Sequence, residues 1–230
     1  MIELDIQERW PEIEPRIIKR PADAARYATK LGFRWPEAEP AMLGNGIQQR
    51  LLLSYIDSCV KKRWEEVETV LNSDCLLNYA LRYVRGRVPA IEKKILDGNL
   101  SIFSLVQYSI RVIRGRWSEF ENFMNHKGSD RWFDDKDELI EYAENHQFCW
   151  NELENILAWG GDREAIISYA KRVLRGRRSL AFEQFFENNP EYSAAFKKYC
   201  DLVDWSRPDT GPINDFLAKR MKRWMKAGTI

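Results

Sequence analysis

"RVIRGRWSEFE" occupies residues 111–121, and the chain writes it again as "RYVRGRVPAIE" from Arg82 and "RVLRGRRSLAFE" from Arg172. In each copy an apolar stretch runs into Arg-Gly-Arg and then into a short segment that carries a glutamate. Helices commonly end in a left-handed residue, which glycine adopts at least cost, so Gly86, Gly115 and Gly176 are expected to mark helix ends. Upstream of the first copy, Leu76, Tyr79, Ala80, Tyr83 and Val84 fall at i, i+3, i+4, i+7 and i+8, which is one apolar helical face. The stretch therefore reads as a helix, a corner and a second helix. Strand signals are almost absent from the rest of the chain, and the fold class that follows is all-α.

Aligning on tyrosine extends the pattern. Tyr27, Tyr55, Tyr79, Tyr108, Tyr142 and Tyr169 are separated by 28, 24, 29, 34 and 27 residues, and a half-unit "ERWPEIEP" stands at residues 8–15. A period of about 28 residues lies in the range of helical-hairpin solenoids. The expected architecture is an α-solenoid of six to seven helix-turn-helix repeats over residues 1–188. Residues 189–230 would form a C-terminal helical cap. Pro36 and Pro89 are placed at first helical positions, and Ser73, Asp135 and Asp162 are placed as helix caps. In the last helix, Ile213, Phe216, Leu217, Met221, Trp224 and Met225 share one face, with Lys219, Arg220, Lys222, Arg223 and Lys226 around it. That suits an end cap, although basic amphipathic helices also lie on membranes or partners.

The unit "YATKLGFRWPEAEP" (27–40) resembles a short tandem repeat of phage and phage-like bacterial proteins, of form Y-A-x-x-V-I-x-G-R-[WF]-P-E-A-E. The resemblance covers residues 8–188. The chain departs from it where Cys149 replaces the arginine, where Lys62 and Phe148 replace the glycine, and where one extra residue separates Arg177 from Glu183. The resemblance implies an α-solenoid of viral origin, with no assigned activity or site residues.

The basic residues fall in columns. Arg34, Arg63, Arg87, Arg116 and Arg177 stand at the corner, and Glu39, Glu68, Glu92 and Glu121 follow the first four by five residues. A guanidinium held at the turn can bind that carboxylate, which makes the corner structural. Further out stand Arg82, Arg111 and Arg172, three residues after a tyrosine, and Arg85, Arg114 and Arg175, six after it. These six are the candidate binding surface, because a stacked repeat would turn each column into a stripe able to follow phosphates. Trp10, Trp35, Trp64, Trp117 and Trp150 are expected in the core rather than as base-stacking platforms.

Composition limits the function classes. With 36 Lys and Arg against 35 Asp and Glu in 230 residues, no global field draws the chain to nucleic acid or anionic lipid. No apolar run approaches the length of a membrane span, and the acidic start does not look like an export signal. The four cysteines lack C-x-x-C spacing, which suits free thiols and a cytoplasmic protein, in host cytoplasm if phage-encoded. There is no P-loop, no G-x-G-x-x-G, no H-E-x-x-H and no G-x-S-x-G. His146 and Cys149 stand at i and i+3 without an oxyanion motif, and the acidic run 129–138 lacks the glycine of a calcium loop. No enzyme, cofactor or metal is expected. The expected function is binding a protein partner, as in host takeover or counter-defence. The alternative is nucleic-acid binding along the arginine stripe.

Overall fold

A computed structural model describes residues 8–44, 47–126 and 134–204. Among these residues the chain is all-α, and the sole extended pairing is an isolated bridge between Gly176 and Val203. The chain divides into two compact units, Met1–Ile113 and Arg114–Ile230. The predicted C-terminal helix at 213–228 lies outside the described residues, as does the first half of the acidic run, 129–133.

In the first unit the tyrosine-bearing helices are Pro21–Leu31, Gln49–Tyr55, Ser73–Tyr83 and Ile102–Tyr108. They alternate with the helices Glu14–Ile17, Glu39–Met42, Glu65–Val70 and Pro89–Asp97, each of which carries a corner glutamate. Each tyrosine helix packs against the next one along the chain. The second unit repeats the scheme. Tyrosine helices Lys136–Asn145, Arg163–Tyr169 and Ser193–Leu202 alternate with Ser118–His126, Asn151–Gly160 and Leu180–Asn188. Tyr55, Tyr79 and Tyr108 in the first unit, and Tyr142, Tyr169 and Tyr199 in the second, are wholly buried. An aromatic side chain covers a large apolar area, so these tyrosines anchor each helix to its neighbours.

Helix ends follow tyrosine-to-corner spacing except at Ser73–Tyr83, which stops on an extended Val84 with no π turn although Tyr79 and Arg87 are eight residues apart. From Tyr27 to Arg34 is seven residues, and there the helix closes on Gly32 at φ 68°, with the Phe33 N–H donating to the Ala28 carbonyl at 3.2 Å. That is the left-handed cap with its six-to-one bond. From Tyr55 to Arg63, and from Tyr108 to Arg116, is eight residues. Those helices run on into π turns, Ile56–Val60 and Ser109–Ile113, and Ala170–Leu174 does the same after Tyr169. A π turn takes one residue more than an α turn and so absorbs the insertion. The Lys61 and Arg175 N–H groups donate five residues back, to Ile56 at 2.8 Å and Ala170 at 3.1 Å.

The π turn also moves the left-handed residue. Lys61, Arg114 and Arg175 take it at φ 54°, 56° and 48°. Gly115, expected in that role, lies outside the left-handed region, whereas Gly86 and Gly176 are at 79° and 93°. Two of the three expected caps also shift. Asn72, not Ser73, caps Ser73–Tyr83 through its side chain, and no side-chain cap bond forms at Asp135. Asp162 does cap, accepting from Glu164 and Ala165 N–H at 3.1 and 3.0 Å. Pro89 opens its helix as expected, whereas Pro36 stands in the turn before Glu39–Met42.

Candidate functional site

The corner is a closed polar circuit. Arg34 donates from Nε and Nη2 to the two carboxylate oxygens of Glu39 at 2.7 and 2.9 Å. The Trp35 N–H donates to the Tyr55 hydroxyl at 2.8 Å, and that hydroxyl donates to Glu39 Oε1 at 3.0 Å. Each buried donor thereby meets an acceptor, as a buried corner requires. The tyrosine that closes a corner belongs to the following helix, not to the helix that leads into it. The hydroxyl is thus a clasp between successive repeats.

The circuit recurs with small changes. Tyr27 closes the half-unit at 8–15, where Arg9 pairs with Glu14 and Trp10 N–H reaches the hydroxyl at 2.7 Å. Tyr79 closes Arg63–Glu68 and Tyr142 closes Arg116–Glu121, each taking the tryptophan N–H at 2.7 Å. At Arg87 the Val88 N–H goes directly to Glu92 Oε1 at 2.9 Å. Burial holds these phenols protonated, with Tyr79 pushed up to about 12 and Tyr55 and Tyr142 raised further. They remain donors throughout the neutral range.

Two sequence expectations need correction. Arg177 is not a corner residue. The Ala170–Leu174 π turn accommodates one added residue, but the chain holds two more than the shortest unit, so Arg178 lands at the corner instead. Arg178 binds Glu183 at 2.7 and 2.6 Å, and Ser179 N–H donates to Tyr199 at 2.8 Å. Trp10 is the second correction. It is 43% exposed, whereas Trp35, Trp64, Trp117 and Trp150 are buried as expected.

The outer arginines are partly spoken for within the fold. Arg82 forms an ion pair with Asp57, which also accepts from the Tyr83 hydroxyl at 2.7 Å. Arg172 Nε donates to Glu144 at 2.7 Å. In both cases the acid stands two residues after a tyrosine and pairs with the next repeat, a relation that inspection of single units does not reveal. Arg85 donates to the Val84 carbonyl at 3.2 Å and Arg175 to the Arg172 carbonyl at 3.0 Å. Arg111 and Arg114 are exposed on the π turn Ser109–Ile113 and just after it. Arg172, Arg175 and Arg177 line one cleft of about 230 Å³ with Glu144, Gln147 and Cys149.

At Cys149 the circuit lacks its arginine. Trp150 N–H still donates to Tyr169 at 2.7 Å, and Tyr169 still donates to Glu154 Oε1 at 3.1 Å. Glu154 is 6% exposed, and burial, the larger effect, raises its pKa against bonds from Ser179 and Tyr169. Cys149 Sγ accepts from Arg177 Nη1 at 3.7 Å, while the His146 ring stands edge-on to Tyr142 with centroids 4.7 Å apart. The thiol therefore faces a guanidinium rather than the imidazole. Among the described residues no group of three or more His, Cys, Asp or Glu is placed to hold a metal.

One apolar feature escaped the sequence reading. Trp159 is 84% exposed on Asn151–Gly160. It borders a cleft of about 560 Å³ with Ile156, Phe185 and Tyr192. Phe185 and Tyr192 stack at 5.6 Å, and the Arg163 guanidinium lies 4.7 Å over the Tyr192 ring. Leu180, 65% exposed at the start of Leu180–Asn188, immediately precedes Ala181, which lines the same cleft. Trp159 falls outside the repeated corner, so periodicity carried no sign of it. No helix among the described residues is long and apolar enough to cross a membrane. The chain matches no protein-family model, no curated protein and no solved structure.

Proposed function

We propose that this chain is a non-enzymatic helical-repeat protein that binds a protein partner through the aromatic cleft of its second unit. The observation that carries the reading is Trp159, 84% exposed at the rim of that cleft. Tryptophan, tyrosine and arginine dominate the energetics of protein interfaces, and an exposed tryptophan costs the free chain solvation without helping its core. The corner arginines are absorbed by glutamates, and Arg82 and Arg172 by Asp57 and Glu144, which leaves less uncompensated charge for a phosphate stripe. A role in host takeover or counter-defence, in host cytoplasm, rests on the resemblance of the repeat to phage-type units.

The test is affinity capture from candidate host extracts with the full chain and its Trp159→Ala variant. A partner held by the parent and lost by the variant supports the reading. Undiminished capture by the variant refutes the cleft. The nucleic-acid reading draws on the cleft that gathers Arg172, Arg175 and Arg177. It predicts retention of RNA or DNA that weakens steeply between two salt concentrations, because phosphate contacts release counterions.

A further inference from the structure

Seven corners among the described residues carry the glutamate, buried at Glu14, Glu39, Glu92, Glu121, Glu154 and Glu183 and half-buried at Glu68. Six of them hold a guanidinium on it, from Arg9, Arg34, Arg63, Arg87, Arg116 and Arg178. At the seventh, Cys149 stands where the arginine belongs, yet everything that shapes the receiving carboxylate is kept. The Tyr169 hydroxyl holds Oε1 of Glu154, the Ser179 side chain also bonds this carboxylate, and Trp150 N–H holds Tyr169. Glu154 is buried and also lines an open cleft of about 440 Å³, with Asn151, Asn155, Arg177 and Ser179.

We propose that the Cys149 corner is a socket for an arginine side chain of the protein partner, whose guanidinium would complete the pair with Glu154. The inference rests on the protein-binding reading and names the chemistry of what is bound. Three further observations favour arginine. A guanidinium presents a planar fork that matches a carboxylate edge, whereas lysine offers a point charge. Of the two arginines nearby, Arg178 is engaged on Glu183, and Arg177 lies against the Cys149 sulfur at 3.7 Å rather than on Glu154. Finally, the socket and the Trp159 cleft share Asn155, Ala181 and Gln184 in their walls, so one partner segment can place an apolar group in one and an arginine in the other. Of the charged groups facing Glu154, Glu152 is an acid and would assist a cation, and Arg177 would oppose one.

The test needs no partner. The full chain carrying ¹³C-labelled glutamate carboxyls is titrated at pH 7 with a capped Gly-Arg-Gly peptide and, separately, with its citrulline analogue, which keeps the shape without the charge. The Glu154 signal should move saturably with the arginine peptide, and the citrulline peptide should bind about ten-fold or more weakly, since a charged hydrogen-bonded pair is lost. Cys149→Arg should fill the socket from within, place the Glu154 signal at its bound position without peptide, and abolish the response. A Glu154 signal unmoved by arginine, equal binding of the citrulline peptide, or an undiminished response in Cys149→Arg would overturn the socket. Failure of the peptide alongside Trp159-dependent capture would remove the socket alone, whereas a responsive Glu154 without such capture would count against the aromatic cleft.

Discussion

Removing Arg178 should cost more than removing any other corner arginine. Its side chain is 4% exposed and that of Glu183 is 1% exposed, with paired bonds of 2.7 and 2.6 Å. Arg178→Ala strands the carboxylate where water cannot reach it, and breaking a buried pair from one side costs about 3–5 kcal/mol. For a chain of this size that is a fall in melting temperature of roughly 6–20 °C. The contrast is Arg116→Ala, whose guanidinium is 56% exposed and whose pair is therefore screened by solvent. Its loss should cost less, about 1–3 kcal/mol, because Glu121 is buried but keeps its bond from Tyr142 and lies where water can replace the exposed guanidinium. Adding Glu183→Leu to Arg178→Ala should recover much of the loss, because no charge is then left buried. Thermal and urea unfolding followed by far-ultraviolet circular dichroism reads all four proteins. Equal, small losses in Arg178→Ala and Arg116→Ala would refute the claim that burial sets the value of each corner.

Other tests follow from the same geometry. Tyr55→Phe leaves the buried Trp35 N–H without its acceptor and should cost about 1–3 kcal/mol in urea unfolding. Glu154 has its folded pKa raised above an ordinary value of 4.5, so its contribution to stability is full below that pH and is lost as pH rises through the folded value. Glu154→Gln should flatten stability over that window, and an unchanged pH profile would remove Glu154 as its source. Arg82→Gln with Arg172→Gln breaks the pairs to Asp57 and Glu144 and should leave nucleic-acid retention at background in mobility-shift assays. Salt-sensitive RNA binding by the parent that is lost in the double variant would favour the nucleic-acid reading instead.

Much of the fold was legible because the corner repeats a complete chemical circuit. Tyrosine, arginine and a glutamate five residues on recur, and the apolar face around Tyr79 has helical spacing. The direction of the clasp was not legible, since Tyr55 closing the corner at Trp35 is a relation between successive repeats. The Arg177 misplacement has the same root. Residue counting finds an insertion but not whether a π turn absorbs it, and Ala170–Leu174 absorbs only part. The pairs Asp57–Arg82 and Glu144–Arg172 likewise join different repeats. Glu154 is different. Its missing partner was visible once Cys149 was seen to replace arginine, but its burial required the packed helices. Trp159 lies outside the periodic positions and left no pattern to follow.

Hydrogen exchange at five backbone amides tests the central claim, that the arginine corner is a clasp between repeats. The N–H groups of Trp35, Trp64, Trp117, Trp150 and Ser179 donate to hydroxyls of Tyr55, Tyr79, Tyr142, Tyr169 and Tyr199. They precede helices, where amides without such partners exchange readily. The account predicts protection at all five comparable to helix interiors, with Tyr142→Phe releasing Trp117 first. Rapid exchange at these amides in the parent protein would contradict it.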